Sequence, residues 1–204
     1  NAFERMFVEI ESNSDFGVVS CVQVNKLGDK EKQIRFFPRL KTLFGLFRAL
    51  YRSRNKNEIY EKFKPSHKIV FPDWVSGSLV FISRSWFDKV AGWNEDYWMY
   101  SEDVDLCKRI TERGGKIALL KDVNITHNHG GASRKNIKTS SITRTQVLIS
   151  KHVFIHNNFK GAEKIFSQFL LVVHSLFSKI LGAVVGLVLF FIPKMRLKVY
   201  LLIN

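Results

Sequence analysis

Cysteine is nearly absent from this chain: Cys21 and Cys107 are the two in 204 residues. That is too few for a disulfide framework, and a reducing compartment is the default expectation. Proline is scarce as well, with four residues, and glycine reaches twelve; set beside 18 Phe and a 46% hydrophobic content, this excludes collagen-like, low-complexity and disordered chains. Acid is in short supply. Eighteen Asp and Glu stand against 32 Lys and Arg, leaving a formal charge of +14 that suits a polyanionic partner or an anionic membrane surface. Uncharged apolar runs stop short of the about 20 residues that a spanning helix needs, because Lys179 separates residues 165–178 from 180–192. Residues 1–25 lack the basic-then-apolar pattern of a signal peptide. The chain opens on Asn1 and is expected to be part of something longer, or processed. A P-loop, a nucleophile elbow, a zinc finger and a dinucleotide fingerprint are all missing.

What is there suffices for one domain with a core. Phe3, Met6, Phe7 and Ile10 fall at helical spacing, and Phe16 to Val24 has the apolar, β-branched look of a buried strand. A basic, aromatic stretch runs from Phe36 to Lys68, with Leu43, Phe44, Phe47 and Leu50 on one predicted helical face. Strands are expected in residues 67–75 and 77–83, then a short helix from Ser85 to Val90 that ends at Gly92. Ser101 is the expected N-cap of a helix running to Arg113, where Gly114 and Gly115 stop it. Strand candidates at Lys116–Leu120 and Val123–Thr126 precede a polar helix around Ser140–Asn157. Strands alternating with helices predict an α/β domain with a helical tail.

The densest polar group is Ser101-Glu102-Asp103-Val104-Asp105. Acids in a first turn complement the helix dipole, so these three can be structural. They also follow an aromatic wall of Trp93, Tyr97, Trp98, Met99 and Tyr100, which can lower local polarity and tune a carboxylate as a general base. Asp103 and Asp105 spell an acid-x-acid string. On a helix, positions i and i+2 diverge, so they do not share an ion easily. A second polar group is His127-Asn128-His129-Gly130-Gly131: a His-x-His loop can reach a metal while its glycines approach phosphate, or it can be a solvated surface loop. Arg134, Lys135 and Lys138 add positive charge after it. Cys107 lies among apolar neighbours and is expected in the core.

Taken in order, Asp73-Trp74-Val-Ser-Gly77-Ser78, Gly92-Trp93-Asn-Glu-Asp96-Tyr-Trp98-Met-Tyr100-Ser-Glu102-Asp103 and the His127 loop strongly resemble family 2 glycosyltransferases, nearest to the rhamnosyltransferase-like members that build bacterial surface polysaccharide such as lipopolysaccharide O-antigen. The resemblance implies a GT-A fold, a Rossmann-like nucleotide-diphospho-sugar transferase domain, and inverting transfer of a sugar from a nucleotide-diphosphate donor to a saccharide or lipid-linked acceptor. It implies Asp103 as general base and Glu102 as its helper. Gly77, Ser78, Trp93, Trp98, Tyr100 and Arg134 would line the substrate pockets. His127, then His129, would be ligands of a divalent cation, Mg²⁺ or Mn²⁺, near the leaving diphosphate. Such enzymes open with a nucleotide-binding half ending in an acid-x-acid metal motif, and this chain starts after that point. Residues 1–135 are therefore expected to be the C-terminal portion of a GT-A domain, inactive alone, and residues 136–204 a helical tail.

For that tail, Lys179 at a bilayer centre would cost about 2.5–3.5 kcal/mol. Two interfacial or re-entrant helices flanked by Lys194, Arg196 and Lys198 are expected instead, on the cytoplasmic face of the cell membrane. Two other readings stay open: an inactive orphan fragment, and a basic module binding membrane or nucleic acid through residues 36–68. Nucleic acid is the poorer fit, since no recognition motif accompanies the charge.

Overall fold

The structure, a computed structural model, describes residues 1–127 and 136–188. In chain order the elements are α1 (Ala2–Ser12), β1 (Phe16–Val24), α2 (Leu40–Leu43), α3 (Gly45–Arg54), α4 (Lys56–Lys62), β2 (Ile69–Val70), α5 (Arg84–Lys89), α6 (Glu102–Glu112), β3 (Lys116–Thr126), α7 (Ile137–Asn158) and α8 (Gly161–Val188). The class is mixed α/β. The chain divides into two compact units, one of residues 1–95 and 101–129, the other of residues 96–100 and 130–204.

In the first unit the sheet order is β1-β3-β2, with β1 and β3 parallel and β2 antiparallel to β3. Eight of the nine residues of β1 are buried, as a parallel strand covered on both faces should be. One face packs on α1, where Met6 and Ile10 join Phe16, Val19, Cys21, Ala118 and Leu120 in a single core cluster. Phe3 and Phe7, at the same helical spacing, remain exposed. On the other face Gly17 meets Ile110 of α6 and Trp86 of α5 so closely that a Cβ would stand 2.2 Å from Ile110 Cγ2. Leu106, Cys107 and Ile110 carry α6 into that layer, all fully buried.

Several expectations are corrected here. The strand expected over 67–75 shrinks to Ile69–Val70: Pro72 has no N–H to give a ladder, and the Asp73 carboxylate turns away to accept the Phe37 N–H at 2.8 Å. Residues 77–83 form no strand. A turn at Ser76–Leu79 intervenes, with Leu79 N–H bonded to the Ser76 carbonyl at 3.2 Å, and only Phe81 bridges to Val19. The two strands expected near residue 120 are one, β3, whose register against β1 shifts between Cys21 and Val22. The apolar face expected at Leu43, Phe44, Phe47 and Leu50 is broken by an extended Phe44 (φ −103°, ψ 149°). Leu43 is buried, whereas Phe47 and Leu50 are exposed.

In the second unit α7 runs as predicted, and Asn136 caps it by accepting the Thr139 N–H at 2.8 Å. The buried Ser150 hydroxyl donates to the Met99 carbonyl at 2.5 Å, and Asn157 donates to Asp96 at 2.9 Å. These two bonds fix residues 96–100 against α7. Gln168 of α8 bonds both the ring and the carbonyl of His152. The tail differs from its expectation: α8 is one continuous helix of 28 residues, and Lys179 interrupts nothing. Its Gly161–Leu181 portion is long and apolar enough to cross a membrane, and 11% of that window is buried.

Candidate active site

Parallel strands present their C-terminal ends as the usual ligand edge of an open α/β sheet. Here β1 and β3 end side by side, Gln23 opposite Ile125 and Val24 opposite Thr126. The His127 N–H continues the ladder onto the Val24 carbonyl at 2.8 Å. Gln23 is buried, and its side-chain oxygen accepts the Ser78 hydroxyl at 2.8 Å. Ser78 thereby ties the 73–78 loop to the strand ends, and Gly77, the residue before it, donates its N–H to Asp103 Oδ2 at 2.8 Å. Gln23, Ser78, Gly77 and Asp103 thus form one connected polar path from the sheet edge to the start of α6.

The helix start itself departs from expectation. Ser101 occupies the N-cap position and its carbonyl accepts the Asp105 N–H at 2.9 Å, but its hydroxyl caps nothing. The reason is backbone conformation. Tyr100 and Ser101 both have left-handed φ angles, 70° and 66°, whereas a side-chain cap needs an extended residue there. Two consecutive non-glycine residues in that region cost of order 1–3 kcal/mol each, and such outliers gather at functional sites.

The three acids of the first turn have three fates. Asp103 accepts the Gly77 N–H on Oδ2 and the Val104 N–H on Oδ1, each at 2.8 Å. Burial pushes its pKa above the ordinary carboxylate value, against the opposing pull of these N–H groups and of Arg35. Glu102 is raised too, first by burial and then by the neighbouring Asp103 charge, and its Oε2 is buried with no hydrogen-bond partner among the described residues. Asp105 is buried and ion-paired with Arg109 Nε at 2.7 Å. The divergence expected of positions i and i+2 is present: Asp103 faces the 77 loop and Asp105 faces down its own helix.

Sequence reasoning gave Arg35 and Trp74 no role in this group, although Trp74 stands in the Asp73–Ser78 motif. The Arg35 guanidinium lies 4.5 Å from the Trp74 ring centroid and 3.0 Å from Glu31. The Trp74 indole donates to the Phe36 carbonyl at 3.0 Å. A lone Arg in a basic stretch carries no spacing signal, so composition hid it. Cys107 is core as expected, its thiol pushed up to about 12 by burial.

The remaining predicted residues fall in both units. Trp93 belongs to the first unit and is exposed; Trp98 and Tyr100 belong to the second, Trp98 being 68% exposed. Arg134 and His129 lie outside the described residues. Among the described residues no three His, Cys, Asp or Glu side chains gather as a metal site.

Comparison with known proteins bears on the same stretch. Residues 60–129 match the family described as the N-terminal domain of galactosyltransferase. An N-acetylglucosaminyl-diphospho-decaprenol L-rhamnosyltransferase of Mycobacterium tuberculosis is 37% identical over 67 residues, covering 33% of this chain and 21% of the relative. The rhamnosyltransferase WbbL of Escherichia coli K12 is 28% identical over 116 residues, covering 55% of this chain and 43% of the relative. Over these stretches the chain is similar to rhamnosyltransferases and to a galactosyltransferase-type domain. It spans between a fifth and a half of the length of these rhamnosyltransferases. The galactosyltransferase-type match runs from α4 to the His127 loop, and so contains Gly77, Glu102 and Asp103.

Proposed function

We propose that the chain is the C-terminal portion of a GT-A glycosyltransferase whose full-length form carries out inverting sugar transfer, with Asp103 as the general base. The acceptor hydroxyl oxygen attacks the anomeric carbon of a nucleotide-diphosphate sugar. The bond from that carbon to the diphosphate oxygen breaks, and the acceptor proton passes to Asp103. One observation carries the reading: the Asp103 carboxylate, raised by burial, is aimed by the Gly77 N–H at the C-terminal edge of the parallel strands. A base whose pKa is moved toward neutrality both accepts and retains the proton more effectively. Glu102, beside it and with no partner for Oε2 among the described residues, is suited to hold an acceptor hydroxyl.

The names of the relatives favour rhamnose as the sugar and a saccharide carried on a lipid diphosphate as the acceptor, in surface-polysaccharide synthesis. The apolar, largely exposed α8 and the +14 charge support association with the cytoplasmic face of a membrane. No step is assigned to a metal.

Sugar transfer from a panel of nucleotide-diphosphate sugars tests the reading. In the full-length protein, Asp103→Asn is expected to lower turnover about 10²–10⁴-fold and leave donor binding in place. Asn retains an oxygen for the Gly77 N–H, so loss of activity without loss of fold is the informative result. Near-normal turnover would remove Asp103 from the chemistry.

A further inference from the structure

Helix α3 is built inside out. None of its ten residues is buried. At about 3.6 residues per turn, Leu46, Phe47, Leu50 and Arg54 share one side, and Arg48 and Arg52 the other. Arg52 is half-buried, and Arg48, though exposed, turns its guanidinium onto the backbone that precedes the helix. Arg48 Nε donates to the Thr42 carbonyl at 3.0 Å, its terminal nitrogen to the Leu43 carbonyl at 3.4 Å, and Arg52 reaches the Ile34 carbonyl at 3.4 Å. Tyr51, on the flank, packs edge-on to Phe36 at 5.7 Å. The outward side is left apolar, with Leu46 72% exposed, Phe47 45% and Leu50 50%.

A surface helix normally turns this pattern the other way, apolar side to the core and charge to water. An outward apolar side needs something to cover it, and the surrounding charge indicates what. Between Lys41 and Lys68 the chain carries eight Lys and Arg against two Glu. Arg54 and Lys56 are exposed at the end of the helix. Beside Tyr51 lies a cleft of about 190 Å³ lined by Arg39 and Lys41, together with Glu58 and the Lys62–Asp73 ion pair. A second copy of the chain would set one basic rim against another. Three side chains are also a small share of the ~1,200–2,000 Å² that a stable protein interface buries. An anionic bilayer meets both demands, since its interface takes apolar side chains and its headgroups take cations.

We propose that α3 docks in the plane of an anionic lipid surface, with Leu46, Phe47 and Leu50 entering the interface and Arg39, Lys41 and Arg54 meeting lipid phosphates. This contact is separate from any made by α8, and it does not depend on the role given to Asp103.

The test reads α3 locally, so that an anchor elsewhere does not mask the answer. Cys21 and Cys107 are both buried, which lets an environment-sensitive thiol probe report from Phe47→Cys or Leu50→Cys in the whole chain. With phosphatidylglycerol vesicles the probe emission is expected to shift to the blue and to be quenched by brominated acyl chains. Phosphatidylcholine vesicles should produce neither effect, and high salt should weaken both. An unshifted probe on a chain that sediments with the vesicles overturns the proposal. So does a shift that needs more protein but no lipid, which would mark a self-association surface instead.

Discussion

Asp103 and Asp105 lie two residues apart on α6 and do unlike things. Asp103 binds backbone N–H groups at the edge of the sheet, while Asp105 is buried against Arg109 Nε at 2.7 Å. Removing one partner of a buried pair strands the other charge, at a cost of about 3–5 kcal/mol. Asp105→Ala is therefore expected to lower stability by roughly that amount, read by chemical denaturation. A loss under about 1 kcal/mol would mean that the pair behaves as an exposed one.

Glu102 keeps a buried carboxylate oxygen with no hydrogen-bond partner among the described residues, and burial raises its pKa. The folded state then holds the proton more tightly than the unfolded state does, so this group favours folding at acid pH. Its contribution falls as pH rises from the ordinary carboxylate range through the raised folded value. Glu102→Gln is expected to raise Tm at pH 7, with the gain vanishing once the unfolded carboxyl is protonated. A Tm series across pH checks the sign.

Gly17 is where the sheet meets α6 and α5. A methyl group there would stand 2.2 Å from Ile110 Cγ2 and 3.5 Å from Trp86 Cδ2. Gly17→Ala is expected to cost about 1–3 kcal/mol through overpacking, and Ile110→Leu, which lacks the β-branch methyl Cγ2, should recover part of it in the same chain. An additive loss in the double variant would deny the contact.

Gly77 presents a different case. A Cβ there would meet Asp103 Cβ at 3.4 Å, an ordinary contact, and would stand 3.7 Å from both Asp103 Oδ2 and Glu102 Oε1. Gly77→Ala is expected to leave Tm nearly unchanged and to lower sugar transfer by crowding the space before the two carboxylates. An unchanged rate would place the acceptor elsewhere.

Much of this was legible in the residues themselves. The buried strand Phe16–Val24 and the helix beginning at Glu102 follow from apolar pattern and glycine stops, which are local signals. The divergence of Asp103 from Asp105 follows from helix periodicity alone. What stayed hidden depends on distant partners. Ser101 fails as a cap because Tyr100 and Ser101 take left-handed backbone angles, which no composition rule forecasts. Residues 77–83 have strand-like content but turn at Ser76–Leu79, where Gly77 is held by Asp103, 26 residues away. Gln23 and Arg35 enter the site through folding, not through a motif. The outward side of α3 reads as core in sequence because periodicity shows that a face is apolar and does not show which way it points.

The role of Asp103 is tested most directly by measuring turnover and donor binding together in Asp103→Asn of the full-length protein. A fall in turnover of about 10²–10⁴-fold with donor affinity and Tm retained is the result expected of a general base. Turnover within a few-fold of the parent would contradict it, and would leave the carboxylate at the head of α6 as an anchor for the Gly77 loop.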